Sequence, residues 1–133
     1  MKLDLDYGAG SHYIHAYEIG QIRIHDRLIC DNIVVFPESI ICPWAVQSVA
    51  TLSIQDFSET IALKPEIILL GTGKTQLFPP IALRAQLSQQ GIGFEVMDSA
   101  AACRTYNILM SENRKVAAAL FLRSFSQSGL KTE

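Results

Sequence analysis

Residues 93–107 have the sequence GFEVMDSAAACRTYN, and the spacing of their apolar side chains changes part-way along. Phe94 and Val96 alternate with their neighbours at the period of two that is typical of a strand. Further on, the apolar side chains fall along one side of a helix; they are Ala102, Cys103, Tyr106, Leu109 and Met110. Asp98 or Ser99 is a suitable N-cap for that helix. We therefore predict a buried strand that leads directly into a helix.

A second strand, loop and helix precede this unit. Residues 66–70 are predicted to be a strand because 67–70 form a short, continuous apolar run, as in a strand that is buried on both faces, and the sequence GTG at positions 71–73 ends it. Two prolines at positions 79–80 suit the start of a helix, which Gly91 would end. A right-handed crossover would lay the two strands near each other. The pattern predicts a three-layer α/β domain with a mixed, mainly parallel central sheet and helices on its faces.

The first part of the chain is rich in short apolar segments separated by turn residues. These segments lie at 13–17, 21–25, 28–30, 33–36 and 39–41. We predict that they form an added N-terminal antiparallel unit that covers part of the larger sheet. Trp44 is the only tryptophan, and we expect it either to anchor this small sheet or, if it is exposed, to mark an interface.

Two later segments also carry secondary-structure signals. Ser53 and Asp56 have the spacing of a capping box, so we predict a helix over residues 53–63. Residues 114–122 contain good helix formers, but helix propensity is only a weak guide. Seven consecutive apolar residues bounded by polar ones fit an interior strand better. We predict a strand there.

Length and charge limit the classes of function. The 133 residues suffice for one domain with its own core, which we predict at residues 1–123, followed by a polar tail at 124–133. Lys and Arg number 11 against 13 Asp and Glu, so the chain offers no basic field for nucleic acid. The hydrophobic fraction of 49% favours either a fully covered sheet or an apolar contact surface, and the second option predicts a homo-oligomer.

The cellular compartment is predicted from the N-terminus and the cysteines. The first residues have neither the basic nor the apolar region of a signal peptide. No segment approaches the roughly 18 apolar residues that span a bilayer. Cys30, Cys42 and Cys103 are odd in number and share no Cys-x-x-Cys spacing, which favours reduced thiols. We predict a cytoplasmic protein without a transmembrane segment.

Two separated motifs carry a resemblance to a known family. The first is PEIILLGTG at 65–73; the second begins with EVMD at 95–98 and AACRTYN at 101–107, and continues through Glu112 and Arg114 to VAAAL at 116–120. In this order and spacing they resemble the Mth-type domain of unknown function, over nearly the whole chain. That family includes an adipogenesis-associated vertebrate protein and a mitochondrial assembly factor of respiratory complex I. The resemblance implies an α/β fold and a strand at 114–122, and it implies no particular reaction.

Polar residues follow both predicted parallel strands. Open α/β sheets have their crevices at the carboxyl ends of the strands, and a helix N-terminus offers unpaired N–H groups to an anion or a carbonyl oxygen. The predicted ligand-binding candidates are Gly71, Thr72, Gly73, Lys74, Asp98, Ser99, Arg104 and Asn107. The alternative is that the glycines only permit a tight turn and that Arg104 and Asn107 belong to a solvated helix face.

The sequence GKT at positions 73–75 does not complete a nucleotide-binding motif. A Walker pattern requires glycine at position 68, which is Ile68, and a helix that begins at the lysine. A dinucleotide fingerprint requires a third glycine where Gln76 stands. We therefore predict neither nucleotide hydrolysis nor a cofactor.

Cys103 and two histidines complete the set of candidates. Cys103 lies in the first turns of a helix, where the dipole would lower a thiol pKa, so it is a candidate nucleophile or redox thiol. Alternatively, it packs as a small hydrophobic residue. His12 and His15 would share a side in a helix but point to opposite faces of a strand, and we predict no metal site.

These observations favour a non-enzymatic function. We predict a cytoplasmic protein-binding or assembly-factor-like module whose apolar surface recognises a protein partner. The alternative is a small-molecule-binding protein or an enzyme, with a crevice at the ends of the strands that finish at Gly71 and Asp98.

Overall fold

The computed structural model describes residues 12–123, which contain eight strands and three α-helices. The strands are β1 (Ile14–Glu18), β2 (Gln21–Ile24), β3 (Arg27–Ile29), β4 (Ile33–Val35), β5 (Ile40–Ile41), β6 (Ile67–Gly71), β7 (Gly93–Met97) and β8 (Val116–Leu120). The helices are α1 (Ser58–Ala62), α2 (Ala82–Gln89) and α3 (Ser99–Ser111), and 3-10 turns at Val49–Thr51 and Ile54–Phe57 precede α1. The predicted tail at 124–133 lies outside the described residues.

The strands form two sheets. One is antiparallel with the order β1-β2-β3, and the other is mixed with the order β5-β4-β8-β6-β7. In the mixed sheet, β6 pairs in parallel with β7 and β8, whereas β4 pairs antiparallel with β8 and β5. The predicted α/β fold, with its mixed central sheet and added N-terminal antiparallel unit, is confirmed.

One part of the strand prediction is wrong. The segments at 33–36 and 39–41 were expected in the N-terminal unit, but as β4 and β5 they extend the central sheet. The reason is a pairing between distant residues, because Ile33 lies opposite Leu120 and Val35 opposite Ala118. Local sequence contains no signal for such a partner.

The two faces of the central sheet contribute to two separate cores. The first core joins the sheet to β1–β3 and α3; its members include Ile14, Ile22, Ile24, Leu69, Ala102, Cys103, Tyr106 and Ala118. The second core joins the sheet to α2 and the segment at 44–57; its members include Trp44, Phe57, Ile68, Leu70, Leu83, Leu87, Phe94 and Ala119. The sheet is therefore covered on both faces, which accounts for the apolar composition.

Strand β8 explains how a helix-forming sequence becomes a strand. It lies between β4 and β6, and all five of its side chains are fully buried. Val116, Ala118 and Leu120 belong to the first core, whereas Ala117 and Ala119 belong to the second. Burial on both faces and pairing along both edges outweigh the helix propensity of alanine.

The position of Trp44 also differs from the predicted one. It does not anchor the small sheet but lies in the second core, 5.4 Å from the Phe57 ring and 5.3 Å from the Phe121 ring between centroids. Its Nε1 donates to the carbonyl oxygen of Asp56 at 2.9 Å. The indole therefore ties the 44–57 segment to the sheet.

The helix starts follow the predicted chemistry. The carboxylate of Asp56 accepts from the Ser53 amide at 2.9 Å, although the helix begins as a 3-10 turn before α1. Asp98 is the N-cap of α3, and its Oδ1 accepts from the Ala101 amide at 2.8 Å. All the helices that the structure describes are too short or too polar to cross a membrane.

Candidate functional site

A cavity of about 380 Å³ lies at the carboxyl ends of β6 and β8. We call it the strand-end cavity. Its polar lining includes Gln47, Ser48, Thr72, Gly73, Lys74, Thr75 and Arg123, and its apolar lining includes Tyr17, Ile19, Val49, Leu77, Phe121 and Leu122. The position matches the rule that open α/β sheets have their crevices at strand ends.

Thr72 shapes the loop that forms one wall of this cavity. Its side chain is buried, and the hydroxyl donates to the carbonyl oxygen of Thr75 at 2.7 Å. The Thr72 hydroxyl oxygen, Oγ1, also accepts from the Leu77 amide at 3.0 Å. One hydroxyl thus satisfies groups at two points of the loop and fixes its curvature.

Ser99 ties the same loop to the sheet and to α3. Its fully buried hydroxyl donates to the carbonyl oxygen of Phe121 at 2.9 Å and accepts from the Gly73 amide at 2.8 Å. Its own amide donates to the carbonyl oxygen of Gly73 at 2.9 Å. These bonds connect the ends of β6 and β8 to the first turn of α3.

Gly71 permits this close approach of strand and helix. A Cβ at this position would lie 2.8 Å from Cδ2 of Leu120 and 2.9 Å from Cα of Ser99, which is closer than side chains tolerate. Gly73 has a different role, because its φ of +100° lies in the region that favours glycine and the space beside it is open.

Asn32 fixes the opposite wall. Its buried Oδ1 accepts from the amides of Leu122 at 2.8 Å and Arg123 at 3.0 Å. The Arg123 guanidinium lies 3.2 Å from a carboxylate oxygen of Asp31, and both side chains are about half exposed. A buried amide therefore sets where the backbone of Arg123 lies.

The structure separates the sequence-predicted ligand candidates into groups. Thr72, Gly73 and Lys74 line the strand-end cavity, whereas Gly71, Asp98 and Ser99 are outside its lining. Asp98 and Ser99 are instead engaged in the helix cap and in the bonds to Gly73 and Phe121.

Arg104 and Asn107 lie elsewhere, in a shallow depression between α3 and β1. The side-chain amide of Asn107 pairs with the backbone of Ile14, accepting from its N–H at 3.0 Å and donating to its carbonyl oxygen at 2.8 Å. Asn107 thus attaches the small sheet to α3. Arg104 is exposed, and its role as a ligand or partner contact stays a prediction.

Cys103 lies in the same depression, but its thiol packs in the first core. Burial raises the pKa of Cys103 from its ordinary 9.0 to about 12, and the nearby Arg104 opposes this shift only in part. Burial also raises the pKa of Tyr17, with further contributions from Cys103 and Asp98. A thiol in this environment is protonated at neutral pH, which is unfavourable for a nucleophile.

The histidines have no metal-binding arrangement. Residues 12–123 contain no group of three His, Cys, Asp or Glu side chains that could hold a metal ion. His12 and His15 each have a ring centroid 5.9 Å from that of His25. Nδ1 of His12 lies 3.1 Å from the carbonyl oxygen of Phe36, which ties this ring to the end of β4.

The sequence interpretation missed several residues of the strand-end cavity. Tyr17, Gln47 and Ser48 come from distant parts of the chain and carry no local signal. Arg123 could have been found, because it lies as far beyond the end of β8 as Lys74 lies beyond the end of β6. The rule that was applied to two parallel strands applies equally to this third one.

An exposed apolar ridge borders the cavity. It consists of Leu77, Phe78 and Ile81, with exposed fractions of 47%, 73% and 94%. Two prolines at 79–80 stiffen the backbone between them. The amide of Leu77 is held by Thr72, and the Leu83 amide donates to the carbonyl oxygen of Pro80 at 3.1 Å. The ridge is therefore held in place at both ends.

Residues 14–121 match the family described as "Protein of unknown function (DUF498/DUF598)". The chain belongs to the DUF498/DUF598 family. The resemblance to Mth-type domains is confirmed by the solution structure of a Bordetella pertussis protein that is described as a Mth938-like domain. That structure shares 29% identity with this DUF498/DUF598 chain at a TM-score of 0.74, and the match covers 92% of each chain.

Two other proteins are similar in sequence to this DUF498/DUF598 chain. A "13 kDa major membrane protein" of Francisella tularensis is 47% identical over 57 residues, covering 43% of this chain and 46% of the relative. "NADH dehydrogenase [ubiquinone] 1 alpha subcomplex assembly factor 3" of Bos taurus is 34% identical over 111 residues, covering 81% and 59%. The chain thus spans about half the length of these relatives.

Proposed function

We propose that the protein is an assembly-factor-like module that holds another protein through the apolar ridge. The observation that carries this proposal is the exposure of three large apolar side chains on one short, restrained segment. Solvent-exposed apolar residues that cluster, rather than scatter, mark interaction surfaces. In this function the protein contributes binding and no catalysis.

The structure of the ridge supports binding rather than a packing defect. Its backbone is restrained by Thr72, by the prolines and by the start of α2, so little conformational entropy is lost on association. Full burial of an aromatic side chain such as Phe78 contributes roughly 1.5–3 kcal/mol. In protein interfaces a few such residues carry most of the binding energy.

The chemistry of the partner is inferred from the relatives. The Bos taurus relative is named as an assembly factor of NADH dehydrogenase, and this chain covers 59% of it. We infer that the partner is a subunit of an NADH dehydrogenase complex before it is fully assembled. Unassembled subunits expose apolar contact surfaces, which a rigid apolar ridge can cover.

We also propose that the protein acts in the cytoplasm. All three cysteines are free, and Cys30 and Cys42 are exposed. Exposed free thiols suit a reducing compartment. Fractionation of native cells should recover the protein with cytoplasmic markers, whereas recovery in an oxidising compartment would contradict this part of the proposal.

Site-specific crosslinking in native cells tests the function. A photoreactive phenylalanine analogue at position 78 should crosslink to an NADH dehydrogenase subunit, because that side chain is 73% exposed at the centre of the ridge. The same analogue at position 112, at the exposed end of α3, is the matched control and should not. The double variant Phe78→Ser and Ile81→Ser should also reduce the amount of assembled complex on native gels.

Three outcomes would contradict the proposal. They are equal crosslinking from positions 78 and 112, crosslinks from position 78 only to proteins outside the respiratory chain, and unchanged complex assembly in the double variant. Crosslinks between two copies of the chain would instead identify the ridge as a homo-oligomer interface.

A further inference from the structure

We propose that the strand-end cavity binds a small phosphate monoester with an apolar body. Its volume of about 380 Å³ lies within the range of about 300–1,000 Å³ that is usual for small-molecule sites. The proposal concerns this cavity alone and does not depend on the apolar ridge having a protein partner.

The charge of the cavity favours an anion. Among residues 12–123, the lining contains two cationic side chains, Lys74 and Arg123, and no aspartate or glutamate. This is notable in a chain whose formal charge is −2. Asp31 takes up part of the Arg123 charge, whereas the structure of residues 12–123 shows no ion pair for Lys74. Lys74 is therefore the principal candidate for contact with an anionic oxygen.

The backbone of the loop favours phosphate over a simple counter-ion. Gly73 adopts a positive φ of 100° in this loop, and successive backbone amides of a turn can together bind an anion. Within the described part of the chain, the Lys74 and Thr75 amides donate no hydrogen bond, whereas the Gly73 amide is occupied by Ser99. Two free amides beside a lysine suit the several acceptor oxygens of a phosphate group.

The apolar residues of the lining favour a phosphate ester that carries an aromatic or aliphatic group. Tyr17, Ile19, Leu77 and Phe121 line the same cavity as Lys74 and Arg123, and we call these four apolar side chains the apolar wall. Inorganic phosphate would leave this wall in contact with water, whereas an aromatic or aliphatic ester would cover it. The hydrogen bonds from Thr72, Ser99 and Asn32 hold both walls in place without a ligand. A preformed site loses little entropy on binding.

Titration of the isotope-labelled full chain with phenyl phosphate, followed by amide spectra, tests the proposal. We expect saturable shifts of the Gly73, Lys74, Thr75 and Arg123 amides. Lys74→Gln should weaken the affinity by at least about tenfold, because it removes a charged contact. Inorganic phosphate should bind at least about tenfold more weakly than phenyl phosphate, since it cannot cover the apolar wall.

Lys115→Gln is the matched control. Lys115 is also exposed, but it precedes β8 and borders a depression that includes Pro65 and Met110 instead of the strand-end cavity. The substitution changes the net charge by the same amount, so the affinity should stay within about twofold of the parent chain if contact rather than overall charge decides binding.

Several results would overturn the proposal. They are shifts confined to other parts of the chain, equal weakening by Lys74→Gln and Lys115→Gln, and equal affinity for phenyl phosphate and for phenol. Equal affinity for phenyl phosphate and inorganic phosphate would contradict the part of the proposal that gives the ligand an apolar group. Purified protein without any partner is used, so failure here leaves the crosslinking result at position 78 unaffected.

Discussion

Cys103 shows how a single buried side chain can lose the chemistry that its position predicts. The thiol lies in the first turns of α3, where the helix dipole favours a thiolate. Its neighbours are the apolar residues of the first core, and burial raises its pKa to about 12. Desolvation therefore outweighs the dipole at this residue.

Thiol modification at pH 8 measures this effect. We expect exposed Cys30 and Cys42 to react readily, and Cys103 to react only in denaturant. With a pKa near 12, only about 0.01% of the Cys103 thiol is ionised at pH 8. The Cys103→Ala variant should lack only the thiol that reacts slowly in the folded chain. Three fast thiols in the folded chain would show that Cys103 is accessible and reopen its role as a nucleophile.

The same shift gives a pH dependence of stability. The folded-state pKa of Cys103 is raised, so the unfolded chain releases this proton at lower pH than the folded chain does. The contribution to stability is complete below the ordinary value of 9.0 and declines as the pH rises toward about 12. Within that window the free energy of unfolding should fall by up to about 1.4 kcal/mol per pH unit from this group.

At the scale of elements, the junction of β6, β8 and α3 depends on one buried hydroxyl. Ser99→Ala would leave the carbonyl oxygen of Phe121 and the Gly73 amide without their present partner. We expect the free energy of unfolding to fall by about 2–4 kcal/mol, because each unsatisfied buried group costs about 1–3 kcal/mol.

Urea denaturation measures this loss, and Ser111→Ala is its control. Ser111 belongs to the same helix, but its hydroxyl donates to the Ile108 carbonyl oxygen at an exposed position. Its replacement should change stability by no more than about 0.5 kcal/mol. Similar small losses in both variants would mean that the loop relaxes and that the junction does not depend on Ser99.

The elements that were predicted well are those with a complete local signal. The strand and helix at 93–111 have the expected change of period, and the N-cap is Asp98, one of the two residues predicted for it. β6 has the continuous apolar run of a strand with both faces covered. The partner of β4 had no such signal, because strand pairing between residues about 85 positions apart is decided by the whole fold.

The residues predicted for the candidate site also fall into two groups. Thr72, Gly73 and Lys74, which follow a recognisable strand, line the strand-end cavity. Asp98 and Ser99 were placed with them, yet the structure uses their side chains for the helix cap and for the contact between chain segments. Sequence shows which polar groups lie at a junction, whereas packing decides whether they face a cavity or one another.

At the scale of the whole molecule, the two cores share one sheet and should unfold together. Tyr106 lies in the first core, and its buried hydroxyl donates to the carbonyl oxygen of His12 at 2.8 Å. Trp44 lies in the second core. Tyr106→Phe should lower the free energy of unfolding by about 1–2 kcal/mol, and the fluorescence of distant Trp44 should report the whole loss.

Urea unfolding followed by Trp44 fluorescence and by far-ultraviolet circular dichroism provides the measurement. The two midpoints should coincide in the parent chain and shift together in the variant. Tyr13→Phe is the control, because Tyr13 is 42% exposed, and it should change little. A shift in dichroism without a shift in fluorescence would show that the two cores unfold independently.

The position of β8 also has a consequence for synthesis on the ribosome. It is the last strand of the described chain to be made, yet it occupies the middle of the central sheet, between β4 and β6. Until Leu120 has emerged, both neighbours lack a partner on their inner edges, and the nascent chain holds two incomplete sheet fragments. The central sheet is therefore completed only late in translation. A chain that ends before residue 116 would expose two unpaired strand edges, on β4 and β6, which favour aggregation.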